Sequence, residues 1–152
     1  MAANPGAGRV DPFRSYNFRL DVQDVPQGHF TECSGIGIKI QAIKYREGGD
    51  KQIVHCIPGP VEYADVTLRY GLSSSNELWD WLMKAVNGTV VRKTVRIILL
   101  DSDGSSEVMR WTLQDAWISE WRGAVLNAMQ REVAIESLTL VYEGLSRNPP
   151  QA

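Results

Sequence analysis

Cysteine is scarce in this chain: Cys33 and Cys56 are the whole supply in 152 residues. Two thiols make no disulfide framework, so packed apolar side chains must hold the fold. Histidine is equally scarce, with only His29 and His55. These four residues are the metal-ligand candidates, and no zinc-type spacing joins them. If residues 52–57 form a strand, His55 and Cys56 point to opposite faces, so ordinary thiols and surface or interface histidines are the favoured reading. Excess charge is also missing, since 16 Lys+Arg against 18 Asp+Glu leave a net charge of -2. The sequence therefore carries no electrostatic footprint for nucleic acid or an anionic membrane. No apolar run approaches the roughly 18 residues of a transmembrane helix. The opening MAANPGAGRVDP lacks the basic-then-apolar layout of a signal peptide, and cytoplasmic synthesis is expected.

Catalytic signatures are absent as well. No Gly-x-Ser-x-Gly elbow occurs, and neither histidine sits in a suggestive context. The glycines of Cys33-Ser-Gly-Ile-Gly37 resemble part of a phosphate loop, yet they lie between strands and precede no helix. Asp101, Asp103 and Glu107 lack the third carboxylate and the glycine of a calcium loop, which favours a plain hairpin turn. Five tryptophans without a basic surface read as core or interface packing, not as platforms for bases. No catalytic residue, cofactor or metal site is expected.

What the chain does have is alternation. Hydrophobic content of 43% and charged content of 22% are ordinary for a globular domain. A chain of this length can bury about 70% of its unfolded surface. Tyr16, Phe18, Leu20 and Val22 alternate with polar residues, as do Val66, Leu68 and Tyr70, and Met109, Trp111 and Leu113. Asp24–Gly28 reads as a turn, and Phe30–Cys33 as a short strand. Ile36, Ile38, Ile40 and Ala42 alternate until Ile43 and Tyr45 continue in the opposite phase, which predicts a bulge near Ala42-Ile43. With Glu47–Lys51 as its loop, the stretch Ile36–Ile57 reads as a hairpin that Pro58-Gly59-Pro60 ends.

Val90–Leu100, bounded by Asp101–Gly104, signals another hairpin. Asp115–Gly123 reads as an irregular connection, Glu132–Glu143 as the last strand, and the tail from Ser146 as disordered. One helix stands out, over about residues 74–88. Ser74 and Glu77 have capping-box spacing, and Asn87-Gly88 suits a helix end. Leu78, Trp81, Leu82 and Ala85 fall on one face, widened by Trp79, Met83 and Val86. About seven or eight strands with one helix predict a mainly-β fold, a β-barrel or sandwich with one flanking α-helix. The expected organisation is a flexible arm over 1–12, a single domain over 13–146 and a flexible tail over 147–152.

Eight stretches, in order, are similar to one family. They are Asp11–Val22, Gly28–Ile36, Tyr45–Lys51, Ile57–Leu72, Glu77–Gly88, Ile97–Gly104, Arg110–Trp121 and Leu126–Leu145. Together they resemble the tail-tube proteins of contractile phages and phage-derived contractile injection systems. Arg122-Gly123-Ala124 departs from the family's usual Gly-Pro pair, and His55-Cys56 from its basic-apolar pair. The resemblance implies a structural, non-enzymatic protomer that forms homo-hexameric rings stacked into a hollow tube. It implies a surrounding sheath protein, baseplate and tube-terminating proteins, and cargo effectors or DNA in the lumen. It implies no membrane insertion by this chain and no sequence-specific nucleic-acid binding. The hairpin loop, Tyr45, Arg46, Glu47, Gly48, Gly49, Asp50 and Lys51, is the expected contact to neighbouring protomers or the next ring. Leu78, Trp81, Leu82 and Ala85 are the expected brace fixing the helix to the protomer wall. Polar alternate faces such as Asn17, Arg19, Thr67 and Arg69 suit a wet lumen. From another functional class, a monomeric small-ligand-binding β-barrel is the alternative.

Overall fold

In the computed structural model, residues 17–23, 25–27, 30–49, 53–72, 76–129 and 131–149 are described. The strands are β1 Phe18–Val22, β2 Val25–Gln27, β3 Phe30–Ser34, β4 Ile38–Tyr45, β5 His55–Tyr63 and β6 Val66–Gly71. Helix α1, Glu77–Val86, follows. Then come β7 Lys93–Leu100, β8 Glu107–Arg122, β9 Ile135–Val141 and β10 Gly144–Asn148.

The strand that organises the rest is β8, with 16 residues. Its first half pairs with β7 on one side and β10 on the other, and its second half pairs with β9. Two sheets therefore share it. One holds β2, β1, β7, early β8 and β10; the other holds late β8, β9, β6 and β3. Between them, opposite Thr94, two β8 residues face one, and Asp115 takes a φ of 53°. That bulge lets a single strand bend from one sheet into the other. Asp115–Gly123 was expected to be an irregular connection, and most of it is instead bulged strand. Inward positions Leu113, Ala116 and Ile118 reveal the reason, because the bulge inserts one residue and breaks the two-residue period.

Leu20, Val22, Val95, Ile97 and Leu113 from one sheet meet Val66, Leu68, Leu138 and Leu140 from the other. Burial of each such side chain stabilises the fold by about 1.5–3 kcal/mol. Mainly-β architecture with one flanking helix is thus what forms. Among the described residues the strand path ends at β2 and β3, so the barrel is not closed by hydrogen bonds.

Three further expectations need correction. Val25–Gln27 is a short strand on β1, within the stretch read as a turn. Ser146, Arg147 and Asn148, read as tail, belong to β10 and pair with Thr112, Trp111 and Arg110. Pro58-Gly59-Pro60 does not end the hairpin; β5 runs through it to Tyr63. Prolines are tolerated there because, among the described residues, β5 has only β4 as a partner, and it carries a bulge at this point.

Helix α1 starts later than expected. Asn76 is its N-cap and makes no side-chain capping bond, so Glu77 is the first helical residue and cannot close a capping box. Ser74 lies outside the described residues. At the other end Gly88 has a φ of 95°, its N–H reaches the Ala85 carbonyl at 3.2 Å, and Thr89 N–H reaches Lys84 at 2.8 Å. Those two bonds form a Schellman cap, which satisfies orphan carbonyls. Trp81 is the buried residue of the helix, and its indole N–H donates to the Val91 carbonyl at 2.7 Å. Leu78 and Leu82 pack against the core from the same side, and Ala85 is half-buried. Val86, expected to widen the apolar face, is 65% exposed. Trp79 instead meets Trp121 of β8 edge-on, with ring centroids 4.9 Å apart.

Trp81→Ala is expected to lower unfolding free energy by about 3–5 kcal/mol through the cavity it leaves. Urea unfolding of the variant checks this, and an unchanged midpoint would show that the helix is not fixed by Trp81.

Candidate assembly surfaces

The β4–β5 ribbon stands apart from both sheets, and among the described residues its two strands pair with each other alone. Every β4 residue is exposed, including Ile38, Ile40, Ile43 and Tyr45, and across from them Ile57 and Val61 are exposed too. Exposed apolar residues gathered on one element mark an interaction surface. The expected contact loop sits at its tip. There Tyr45 ends β4 and stacks on His55, centroids 5.3 Å apart, while Arg46, Glu47, Gly48 and Gly49 are open to solvent. Asp50 and Lys51 lie outside the described residues. The bulge falls at Gln41 opposite Gly59-Pro60, next to where the phase slip put it.

A second apolar surface lies on the connection between β8 and β9. Val125 is 85% exposed and Met129 91% exposed, with Leu126 and Val133 nearly as open. Val125, Leu126, Ala128, Ala134, Asn127 and Glu132 line a hollow of 470 Å³ there. Sequence reasoning missed this surface, as it missed the apolar shaft of the ribbon. The available signal was Val125, Leu126, Met129 and Val133, apolar residues at helical spacing in a stretch whose described residues form neither helix nor strand.

Polar faces cover the outsides of the two sheets. On the first, Arg19 bonds Asp21 at 3.1 Å and Glu107 at 3.3 Å, and Arg110 holds Glu107 at 2.7 Å. Asn17 donates to the Asp101 carbonyl at 3.2 Å nearby. On the second, Thr67, Arg69, Glu120, Arg122, Ser137 and Thr139 line a depression of 250 Å³. Its arginines have acidic neighbours, Arg122 with Glu120 at 2.6 Å and Arg69 with Glu32 at 3.7 Å. The expected polar residues therefore lie on two separate faces, Asn17 and Arg19 on one, Thr67 and Arg69 on the other.

The candidate metal ligands do not converge. His55 and Cys56 are adjacent in β5 and so face opposite ways, Cys33 lies in β3, and His29 lies outside the described residues. Among the described residues no group of three or more His, Cys, Asp or Glu could hold a metal ion. In the β7–β8 turn, Asp103 accepts from Ser105 N–H at 2.9 Å and from Ser106 N–H at 3.0 Å. The Ser106 hydroxyl adds a third bond at 2.6 Å, and these donors hold the Asp103 carboxyl down at about 2. Glu107 is committed to Arg19 and Arg110, so the acidic trio is turn chemistry.

The family model of the T4-like virus tail tube protein gp19 matches residues 14–146. The chain belongs to that family. It is a structural tube protein of a contractile phage tail or a tail-like contractile injection particle. Among solved structures it is similar to the sheath-tube complex of PVC, an extracellular contractile injection system, in the extended state. Identity there is 25%, the TM-score is 0.83, and coverage is 91% of this chain and 93% of that one. The tube-terminating cap of the anti-feeding prophage shares the fold at 24% identity and a TM-score of 0.84, covering 99% and 100%. Hcp1 from Flavobacterium johnsoniae shares the fold more distantly, at 10% identity and 0.55, covering 89% and 97%. No curated protein matches the chain.

Burial, helped by the neighbouring Glu32 charge, pushes the tube protein's Cys33 thiol from 9.0 up to about 12. Burial and the Glu136 hydrogen bond push Tyr70 from 10.0 up to about 12. Folded chain then keeps protons that unfolded chain has released. Their contribution to stability is full below pH 9 and declines as pH rises toward 12. Urea midpoints should fall between about pH 8.5 and about pH 10.5, with a shallower fall in Cys33→Ala. Iodoacetamide at mildly alkaline pH should label exposed Cys56 and spare Cys33, read by peptide mass spectrometry.

Proposed function

We propose that this tube protein assembles as homo-hexameric rings that stack head to tail into a hollow tube. The observation carrying this reading is the β4–β5 ribbon, whose apolar residues Ile38, Ile40, Ile43, Ile57 and Val61 are exposed. A ring is built from heterologous contacts, which need two unlike patches on each protomer. The ribbon supplies one and the exposed β8–β9 connection another. The similar PVC and anti-feeding prophage structures are a sheath-tube complex and a tube-terminating cap. That supports a surrounding sheath and a terminating protein as partners, and the fold's likeness to a chain of the anti-feeding prophage baseplate supports a baseplate. Cargo effectors or DNA in the lumen are part of the same proposal. Synthesis in the bacterial cytoplasm and a purely structural, non-catalytic role complete the reading.

The ribbon tip, Tyr45–Lys51, is proposed as a contact to the adjacent protomer or ring, and Leu78, Trp81, Leu82 and Ala85 as the brace of the protomer wall. The ligand-binding barrel is not favoured, because Leu20, Val66, Leu68, Val95 and Leu113 fill the space between the sheets.

Negative-stain images of the purified chain should show rings and stacked tubes; a persistent monomer under every assembly condition would overturn the reading. Replacing Glu47, Gly48 and Gly49 together with serine should leave the thermal midpoint unchanged and shorten the stacks.

A further inference from the structure

Asparagine is followed by glycine once in the chain, at Asn87-Gly88; the other asparagines precede proline, phenylalanine, glutamate or alanine. A glycine in that position leaves its main-chain nitrogen unshielded by any side chain, so the nitrogen can attack the amide carbon of the asparagine before it. The fold puts this pair at the end of helix α1. Asn87 is exposed, and its side-chain amide has no hydrogen-bond partner among the described residues. An added Cβ on Gly88 would meet nothing within 4 Å, so open space surrounds the attacking nitrogen.

The single Asp-Gly pair, Asp103-Gly104, invites the same ring closure, and its turn disarms it. The Ser105 and Ser106 N–H groups and the Ser106 hydroxyl all donate to the Asp103 carboxylate. Those bonds keep the group ionised, and an ionised carboxylate has no hydroxyl to lose to an attacking nitrogen. Asn87 has no such hold on its side chain; what restrains it is the backbone. Its ψ of 9° keeps the Gly88 nitrogen off the line of attack, and the Gly88 N–H is engaged with the Ala85 carbonyl at 3.2 Å. Ring closure therefore waits for the Schellman cap to open, a local event at a helix end that needs no global unfolding.

We infer that Asn87 is a self-modification site, with water as its reagent and opening of the helix end as its gate. The Gly88 nitrogen bonds to Asn87 Cγ and ammonia leaves, carrying the Gly88 amide proton, to give a five-membered succinimide. Water then adds to one of the two ring carbonyl carbons, and the bond from that carbon to nitrogen breaks. Opening at the original main-chain carbonyl leaves isoaspartate, whose backbone runs through the side-chain carbon; opening at the other leaves aspartate. Either product puts a carboxylate at the negative end of the helix. Isoaspartate also lengthens the backbone by an atom, so the Gly88 and Thr89 N–H groups no longer both reach Ala85 and Lys84. The chain runs directly from this cap to the Val91 carbonyl, which holds the Trp81 indole at 2.7 Å. Conversion thus loosens the anchorage of the helix on the core.

The test incubates the full chain in mildly alkaline buffer, folded and in guanidinium chloride. Peptide mass spectrometry with separation of isoaspartyl peptides then follows each asparagine. In the folded chain Asn87 should convert before any other asparagine and before Asp103 isomerises. In denaturant it should convert at least about tenfold faster, the factor that about 1.4 kcal/mol of local opening imposes. Thr89→Pro removes the N–H bonded to Lys84 while keeping the Asn-Gly pair, and should bring the folded rate most of the way to the denatured one. The isoaspartyl fraction should melt at a lower thermal midpoint than the unmodified chain. If Thr89→Pro does not fold, the comparison of folded with denatured native chain decides the gate without it. Equal rates in the two conditions overturn the gate. Earlier conversion at another asparagine, or a folded chain that never converts at Asn87, overturns the site.

Discussion

Both sheets depend on β8 bending without breaking. A strand that served only one sheet would leave the apolar faces of β6 and β9 without the faces of β1 and β7 opposite them. The bulge at Gln114-Asp115 turns the chain from one sheet into the other while Leu113 and Ala116 both stay inward. β9 and β10 follow the same turn on the other side of β8, and Glu143 N–H donates to the Gln114 carbonyl at 2.9 Å at the corner. Gly144 lies close under Gln114, where an added Cβ would displace the end of the Gln114 side chain. Helix α1 then closes one flank, with Trp81 reaching the core and its indole N–H satisfied by Val91.

This body leaves its assembly chemistry outside. Apolar residues that a monomer would bury are carried on the ribbon and on the β8–β9 connection. The outer sheet faces, in contrast, are threaded with ion pairs and hydroxyls. Exposed pairs of this kind contribute little to stability, about 0–1 kcal/mol each, so their use is to keep those faces wet. Sticky edges and wet faces on one body suit a structural tube subunit, which must bind neighbours along some surfaces and leave others in water.

Much of the body was legible in the sequence because single-phase alternation survives wherever strands are regular. Leu20 and Val22, Val66 and Leu68, and Leu138 and Leu140 are inward as their patterns require. The β7–β8 hairpin followed from Asp101–Gly104, and the helix end from Asn87-Gly88. Readings failed where bulges interrupt the period. Late β8 looked irregular since its inward residues are spaced three apart at the bulge, and Pro58-Gly59-Pro60 looked like an end because proline stops central strands. β10 was missed because Gly144–Asn148 has few apolar residues and is a strand through its pairing with β8. The capping box at Ser74 and Glu77 was a spacing match that the helix start at Glu77 removes.

Local pattern by itself determined that this protein is mainly β with one amphipathic helix, and the ordered set of matching stretches placed it among tail-tube proteins. Those properties depend on neighbours along the chain, so they can be read without coordinates. Tertiary structure alone decided which apolar residues are core and which are left outside. Ile97 and Ile40 are equally apolar and both lie in alternating strands. Ile97 is buried because a second sheet lies across from it, and Ile40 is exposed because, among the described residues, its ribbon belongs to neither sheet. That difference is set by which strands pair, a long-range choice that no local window contains.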